Sequence, residues 1–288
     1  IRPASVSAVL EVVSACRKFE IPLTLRGSGT GNYGQSVPVN GGVVMLMSSL
    51  NNIRDFDSQT GEVTVETGCL LRDVDNYLAF RGRQLRLLPS TWRSASIGGF
   101  VAGGSGGIGS VRWGFLRDPG HLQGLEIVTL QENPMILSLD ADSSEPLNHA
   151  YGTNGIITSL KIATCPAIPW QEVVIDSETL IKAVELLKSC ICSAADLYLA
   201  TLLEDQIVNQ LPNFCGESKG KHRLLFLVAP DGVNTLKRLA NKAGAKFKHL
   251  GSENLKSGAG MRELSWNHTT RHMRGKSSQW TYMQMLLP

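Results

Sequence analysis

The chain has 288 residues, enough for two domains that each bury a core. Its 42% hydrophobic and 18% charged content is that of a globular protein, and a net charge of +3, with no basic stripe interleaved with aromatics, argues against nucleic-acid binding. No apolar run approaches the roughly 20 residues needed to cross a bilayer, and Ile1–Leu10 lacks the charged-then-apolar order of a signal peptide.

Apolar residues at Val6, Val9, Leu10, Val13 and Cys16 mark one face of a helix over Ser5–Phe19, with Ser5 as its N-cap. Ile21–Leu25 reads as a short strand, Val43–Met47 as a buried one, and Gly61–Val65 leads into another. Leu71–Phe80 is an amphipathic helix after a turn at Gly68, and Gly98–Gly104 opens a helix of small residues. Leu125–Leu130, Met135–Leu139 and Ile156–Ile162 alternate as strands do. Pro166–Pro169 marks a boundary between domains at 1–166 and 167–288. Beyond it come strand Glu172–Ile175, helix Ser177–Ser189, strands Asp196–Leu203 and Arg223–Val228, and helix Gly232–Ala243, an order that suggests a ferredoxin-like sheet. The fold class expected is α+β.

Three glycine-rich stretches stand out: Arg26–Gly34 (RGSGTGNYG), Pro89–Gly107 and Gly152–Thr158 (GTNGIIT). Without a Cβ, glycine lets backbone N–H groups approach an anion. Three such stretches suit a long, phosphate-containing ligand such as a dinucleotide. Gly29–Gly34 and Gly104–Gly109 both match G-x-G-x-x-G, and Asp55 lies near the place of a ribose-binding acid. That fingerprint must open a helix. Pro38, Gly41 and Gly42 forbid one after the first match, and SVRWGFLRDPG after the second has no helical period, so a Rossmann site is not expected.

The order of RP-x-S at Arg2–Ser5, IPLTLRGSGTG, GGVVMLMSSLNNI, EVTVETGCLLRDV, ASIGGFVAGGSGG with Trp113–Gly114, LEIVTL and GTNGIITSLKIAT resembles a known family. It is that of the vanillyl-alcohol oxidase/p-cresol methylhydroxylase flavoproteins, in the FAD-linked oxidase branch of glycolate oxidase and D-lactate dehydrogenase. The resemblance covers about residues 1–166 and implies a two-part FAD-binding domain followed by a smaller substrate or cap domain. It implies FAD contacts from Arg26, Gly27, Ser28, Gly29, Thr30, Gly31 and Asn32, then from Pro89, Ser96, Ile97, Gly98, Gly99, Gly103, Ser105 and Gly106, and from the backbone of Gly155, Ile156 and Ile157. Some members attach FAD through a histidine where this chain has Thr30, or through a cysteine where it has Ala95 and Ser96. Hydroxyls are weaker nucleophiles than imidazole or thiolate, so the cofactor is expected to be held non-covalently.

Such a flavoprotein oxidises a small alcohol or 2-hydroxy acid by hydride transfer to flavin N5 and needs a base for the hydroxyl proton. Of six histidines (His121, His149, His222, His249, His268 and His272), His268 is the candidate, because Trp266, Asn267 and Arg271 surround it in sequence. Arg93 and Arg112 flank the glycine stretches and are candidates for a substrate carboxylate or the FAD phosphates. The H-x-G-D-G-N segment of the D-lactate and D-2-hydroxyglutarate relatives is absent from this sequence. The alternative function is a flavin-binding subunit without substrate chemistry of its own. The partners implied are a small-molecule substrate and an unknown electron acceptor, with a homo-oligomer or partner subunit left open. His268 and His272 are spaced i, i+4 as metal ligands can be, but no third ligand follows them and no metal is expected. The six cysteines show no metal spacing and read as reduced thiols of a cytoplasmic protein. The start at Ile1 and the end at Pro288 read as those of a trimmed chain.

Overall fold

Ser5 begins the first helix as its sequence requires: its Oγ accepts the Ala8 amide at 3.1 Å, and the helix runs over Val6–Lys18. Val9 and Val13 on one face are buried to 0% and 1% exposure. Burying a valine contributes about 1.5–3 kcal/mol. They pack with Met45, Met47, Leu50, Val128 and Ile156 into one core. The computed structural model describes residues 1–104, 106–211, 220–256, 260–264, 267–277 and 279. It divides the chain into two units, Ile1–Gly106 with Gly114–Ala167, and Gly107–Trp113 with the chain from Ile168 onward.

In the first unit, β1 (Leu23–Arg26) and β2 (Val43–Leu46) pair in parallel and form a two-stranded sheet. A larger antiparallel sheet follows, in the order β3 (Ile53–Asp57), β4 (Glu62–Glu66), β8 (Ile156–Pro166), β6 (Leu122–Val128) and β7 (Ile136–Asp140), with β5 (Arg83–Leu85) on the far part of β8. The long β8 is the centre of this sheet because its residues are buried on both faces. Across β3, β4, β6 and β8, Arg54 bonds the carboxylates of Glu66 and Glu126 and the hydroxyl of Ser159. Glu126 is thus a member of a polar network, and Asp118 accepts the Phe115 amide at 2.7 Å.

The second unit is a β-α-β-β-α-β sheet. β9 (Gln171–Ser177), β10 (Leu197–Leu203), β11 (His222–Val228) and β12 (Lys246–Ser252) lie in the order β10-β11-β9-β12, all neighbours antiparallel. Helices Leu180–Ile191 and Val233–Lys242 pack Leu186, Cys190, Leu236 and Ala240 onto Val173, Ile175, Leu224 and Phe226. Thr179 caps the first of these by accepting the Lys182 amide. This is the ferredoxin-like arrangement of an α+β fold.

Three strands have no counterpart among the expected elements. β3 carries Arg54, Asp55 and Asp57 and β12 carries Lys246 and Lys248, and both lie at sheet edges, where the apolar signal is weak. β5 has only three residues. A further difference concerns SVRWGFLRDPG, where Ser110–Trp113 forms one helical turn. That turn belongs to the second unit: Gly109 donates to the Tyr198 carbonyl at 2.7 Å, and Trp113 meets the Tyr198 ring edge-on at 5.7 Å. Tyr198 in turn stacks on Trp170 at 4.9 Å. Among the described residues, Cys16, Cys69, Cys165, Cys190 and Cys192 are free thiols, and burial pushes those of Cys69 and Cys190 up to about 11. No described helix is long and apolar enough to cross a membrane.

Candidate functional site

The three glycine-rich stretches, distant in sequence, meet in the first unit. A Cβ built on Gly27 would run into the Ser96 hydroxyl and come within 3.5 Å of the Gly99 Cα, so the first stretch lies on the second. A Cβ on Gly152 would come within 2.5 Å of Leu25, in the strand that leads into the first stretch. One on Gly104 would strike the His149 ring, just before the third. The missing Cβ at each glycine leaves room for the Ser96, Leu25 and His149 side chains.

The loop after β1 is built to receive an anion. Gly29 adopts φ 69°, which turns the chain back under Arg26, whose Nε lies 2.6 Å from where a Gly29 Cβ would be. Among the described residues, the amides of Ser28, Gly29, Thr30 and Gly31 donate to no protein acceptor, and no carboxylate pairs with the Arg26 guanidinium. Consecutive free amides beside an unpaired cation form a concave anion site. Thr30 is half-buried, and Asn32 is exposed at the end of the loop.

The second stretch adds hydroxyls. Helix Ile97–Gly103 starts at Ser96, whose Oγ caps nothing. Ser96 Oγ and Ser90 Oγ are buried without a hydrogen-bond partner among the described residues. A buried hydroxyl without a partner costs about 1–3 kcal/mol, so both mark places for a polar ligand. Backbone donation from this helix is narrower than the resemblance implies. The Ile97 amide already donates to Cys69 at 2.8 Å and the Gly98 amide to Thr67 at 2.9 Å, leaving Gly99, which is exposed, as the open donor. Gly98 is further locked by Thr67, whose carbonyl lies 2.9 Å from where a Cβ would be. The helix itself, with three glycines in seven residues, would not form alone, and Ile97, Phe100 and Val101 hold it by burial.

Pro89 is half-buried and its carbonyl accepts the Trp92 amide at 3.0 Å. Gly103 has open space around its Cβ position, Gly106 is half-buried, and Ser105 lies outside the described residues. In the third stretch, Ile156 and Ile157 point into the core at 1% and 6% exposure and their backbone belongs to the β6–β8 ladder. Gly155 is held between Leu147 and Ile127. Only main-chain atoms of these three are available to a ligand. A cavity of about 20 Å³ behind the helix, lined by Leu71, Ile97, Phe100, Leu116 and His121, holds about one water and is not the ligand's place.

Residues 1–134 match the model of a protein family described as an FAD binding domain. Among the described residues, the open amides of Ser28–Gly31, the Arg26 guanidinium and the nearby Ser96 hydroxyl have the chemistry a phosphate group needs. The chain is 30% identical over 176 residues to a putative mitochondrial D-lactate dehydrogenase of Schizosaccharomyces pombe, covering 59% of this chain and 33% of that protein. It is 31% identical to a mitochondrial D-2-hydroxyglutarate dehydrogenase of Arabidopsis thaliana, covering 58% and 31%, and 27% identical to a D-lactate dehydrogenase of Anaerostipes hadrus, covering 75% and 47%. The chain thus spans about a third of the two mitochondrial relatives. An alkyldihydroxyacetonephosphate synthase structure shares the fold, with a TM-score of 0.77 at 18% identity, covering 96% of this chain and 58% of that one.

The first unit contains Arg93, half-buried, with its guanidinium 4.3 Å from the Trp92 ring. Arg112 falls in the second unit, lies over Trp113 at 4.7 Å and is ion-paired with Asp196, which takes the place a substrate carboxylate would occupy. His268 lies in helix Asn267–Lys276, its side chain outside the described residues, as are those of Asn267, Arg271 and His272. His121 is 5% exposed, and His249 on β12 bonds Gln171 on β9. Asp55, on β3 and away from any helix start, has no part in a Rossmann unit. Among the described residues no group of three or more His, Cys, Asp or Glu is placed to hold a metal. Neither Ser90 nor His149 stands out in the sequence, because an unpartnered hydroxyl and a left-handed histidine have no pattern in composition.

Proposed function

We propose that this chain is an FAD-dependent oxidoreductase that oxidises a small alcohol or 2-hydroxy-acid-like substrate. The observation that carries the proposal is the Arg26–Gly31 loop: among the described residues the amides of Ser28–Gly31 and the Arg26 guanidinium have no protein partner, and Gly27 lies against Ser96. The 2-hydroxy-acid class is supported by the names of the relatives. FAD, when bound, supplies a hydride acceptor at N5.

The chain's own part is to hold and orient. Arg26 and the loop amides hold the pyrophosphate, and Thr30 and Ser96 leave the flavin free of a covalent tether. Arg93 is the proposed partner of a substrate carboxylate, in preference to Arg112. His268 is the proposed acceptor of the hydroxyl proton, since imidazole titrates near neutrality. An electron acceptor and a small-molecule substrate are its partners in this reading.

Anaerobic titration of the FAD-loaded protein with D-lactate, D-2-hydroxyglutarate and glycolate tests the proposal, with loss of flavin absorbance as the signal. Bleaching by any of them is the expected result. A flavin that none of them reduces, yet dithionite does, makes the chain a flavin-binding subunit without substrate chemistry.

A further inference from the structure

Three non-glycine residues among those described have left-handed backbone, and two of them, His149 (φ 61°) and Tyr151 (φ 52°), are separated by a single residue. Such a conformation is disfavoured for residues with a Cβ and persists where the surroundings dictate it. Here the surroundings are the end of the helix that carries the second glycine stretch. The His149 amide donates to the Val101 carbonyl at 3.0 Å and the Tyr151 amide to that of Ala102 at 2.9 Å. Both carbonyls belong to the last turn, where helical carbonyls run out of partners; that of Val101 also accepts the Gly104 amide at 3.1 Å.

The side chains complete the arrangement. The His149 ring fills the space beside Gly104, which has φ 58° and no room for a side chain. His149 Nε2 lies 3.2 Å from Tyr151 Oη, and the two rings meet edge-to-face at 5.4 Å. Both residues are exposed, Tyr151 to 40%, so the pair buries little apolar surface. Strained backbone at an exposed position is not explained by stability.

We propose that His149 and Tyr151 are positioning residues of the FAD site: they clasp the Gly103–Gly104 turn in the shape the cofactor needs. This rests on FAD binding by residues 1–134. Neither residue is a catalytic residue in this proposal. They act through the turn.

The test is titration of flavin-free protein with FAD by flavin fluorescence, together with thermal unfolding of the flavin-free form. Tyr151→Phe keeps the ring and loses the hydroxyl, and should raise the Kd for FAD about fivefold with an unchanged melting temperature. His149→Gly suits the left-handed backbone and removes the ring. It should leave the melting temperature within about 2 °C, or raise it, while weakening FAD more than Tyr151→Phe does. Loss of affinity without loss of stability is what a merely structural pair would not show. Wild-type Kd in both variants, or affinity and melting temperature falling in step, overturns the clasp. A wild-type protein that takes no FAD overturns the cofactor reading, and the clasp with it.

Discussion

The Ser96 hydroxyl fills the space that a side-chain carbon on Gly27 would need. This contact between the first and second glycine stretches fixes their spacing, and the hydroxyl is buried with no hydrogen-bond partner among the described residues. Gly27→Ala is expected to destabilise the protein by about 1–3 kcal/mol through overpacking and to weaken FAD binding. Adding Ser96→Gly to the same chain should restore much of the stability, because it reopens that space, but not the affinity. Denaturant unfolding and FAD titration of the two variants check this. A Gly27→Ala protein with wild-type stability and affinity would show that the stretches are not in contact.

Arg26 is expected to carry much of the affinity for the cofactor's phosphates. A hydrogen bond to a charged group contributes about 1.5–3 kcal/mol, so Arg26→Met should raise the Kd for FAD by about 10- to 150-fold. The dependence of that Kd on salt should also shrink, since one cation fewer is screened. Unchanged affinity at low salt would remove Arg26 from the site.

The purified protein should be yellow, and acid precipitation should release the flavin into the supernatant. Thr30, Ala95 and Ser96 offer neither imidazole nor thiolate, and Cys69, the cysteine nearest in sequence to Ala95, is a buried thiol whose pKa is raised to about 11. Colour that stays in the acid pellet sinks the non-covalent assignment.

Glu172 gives the second unit a pH dependence. It is 4% exposed and accepts the Asn254 and Met261 amides, and burial, with Glu253 and Glu263 adding to it, holds its carboxyl above the ordinary carboxylate range despite those two donors. The unfolded chain releases this proton at the ordinary value and the folded one only at a higher pH. Between the two the folded state binds more protons, so stability falls as pH rises through that window. Glu172→Gln keeps an acceptor for both amides and should abolish this component. The check is denaturant unfolding from about pH 4 to 7; an identical slope in the variant excludes Glu172 as its source.

The longer helices Val6–Lys18, Leu71–Ala79, Leu180–Ile191 and Val233–Lys242 and most strands were legible in sequence because each shows its face by periodicity or its start by a cap, as Ser5 does. β12 was not, because its lysines obey the rule of edge strands and hide the apolar alternation. The glycine stretches announced themselves, since absence of a side chain is itself a signal. Their division of labour did not. That Ile97 and Gly98 commit their amides to Cys69 and Thr67, while Ser28 to Gly31 keep theirs, depends on long-range contacts. The same is true of Arg112, which flanks a glycine run in sequence and meets Asp196 in space.

Gly107–Trp113 packs with the second unit although both its neighbours in sequence, Gly106 and Gly114, belong to the first. The chain therefore passes between the units three times, at 106/107, 113/114 and 167/168. No single cut yields two intact halves. A polypeptide shortened to end near residue 166 would carry Trp113 without the Tyr198 ring it meets and Gly109 without its carbonyl acceptor, and its bared aromatic loop would invite aggregation. Proteolysis between Ala167 and Ile168 should likewise leave two fragments that stay associated through that loop. An exchange of second units between relatives has to move two stretches of gene at once.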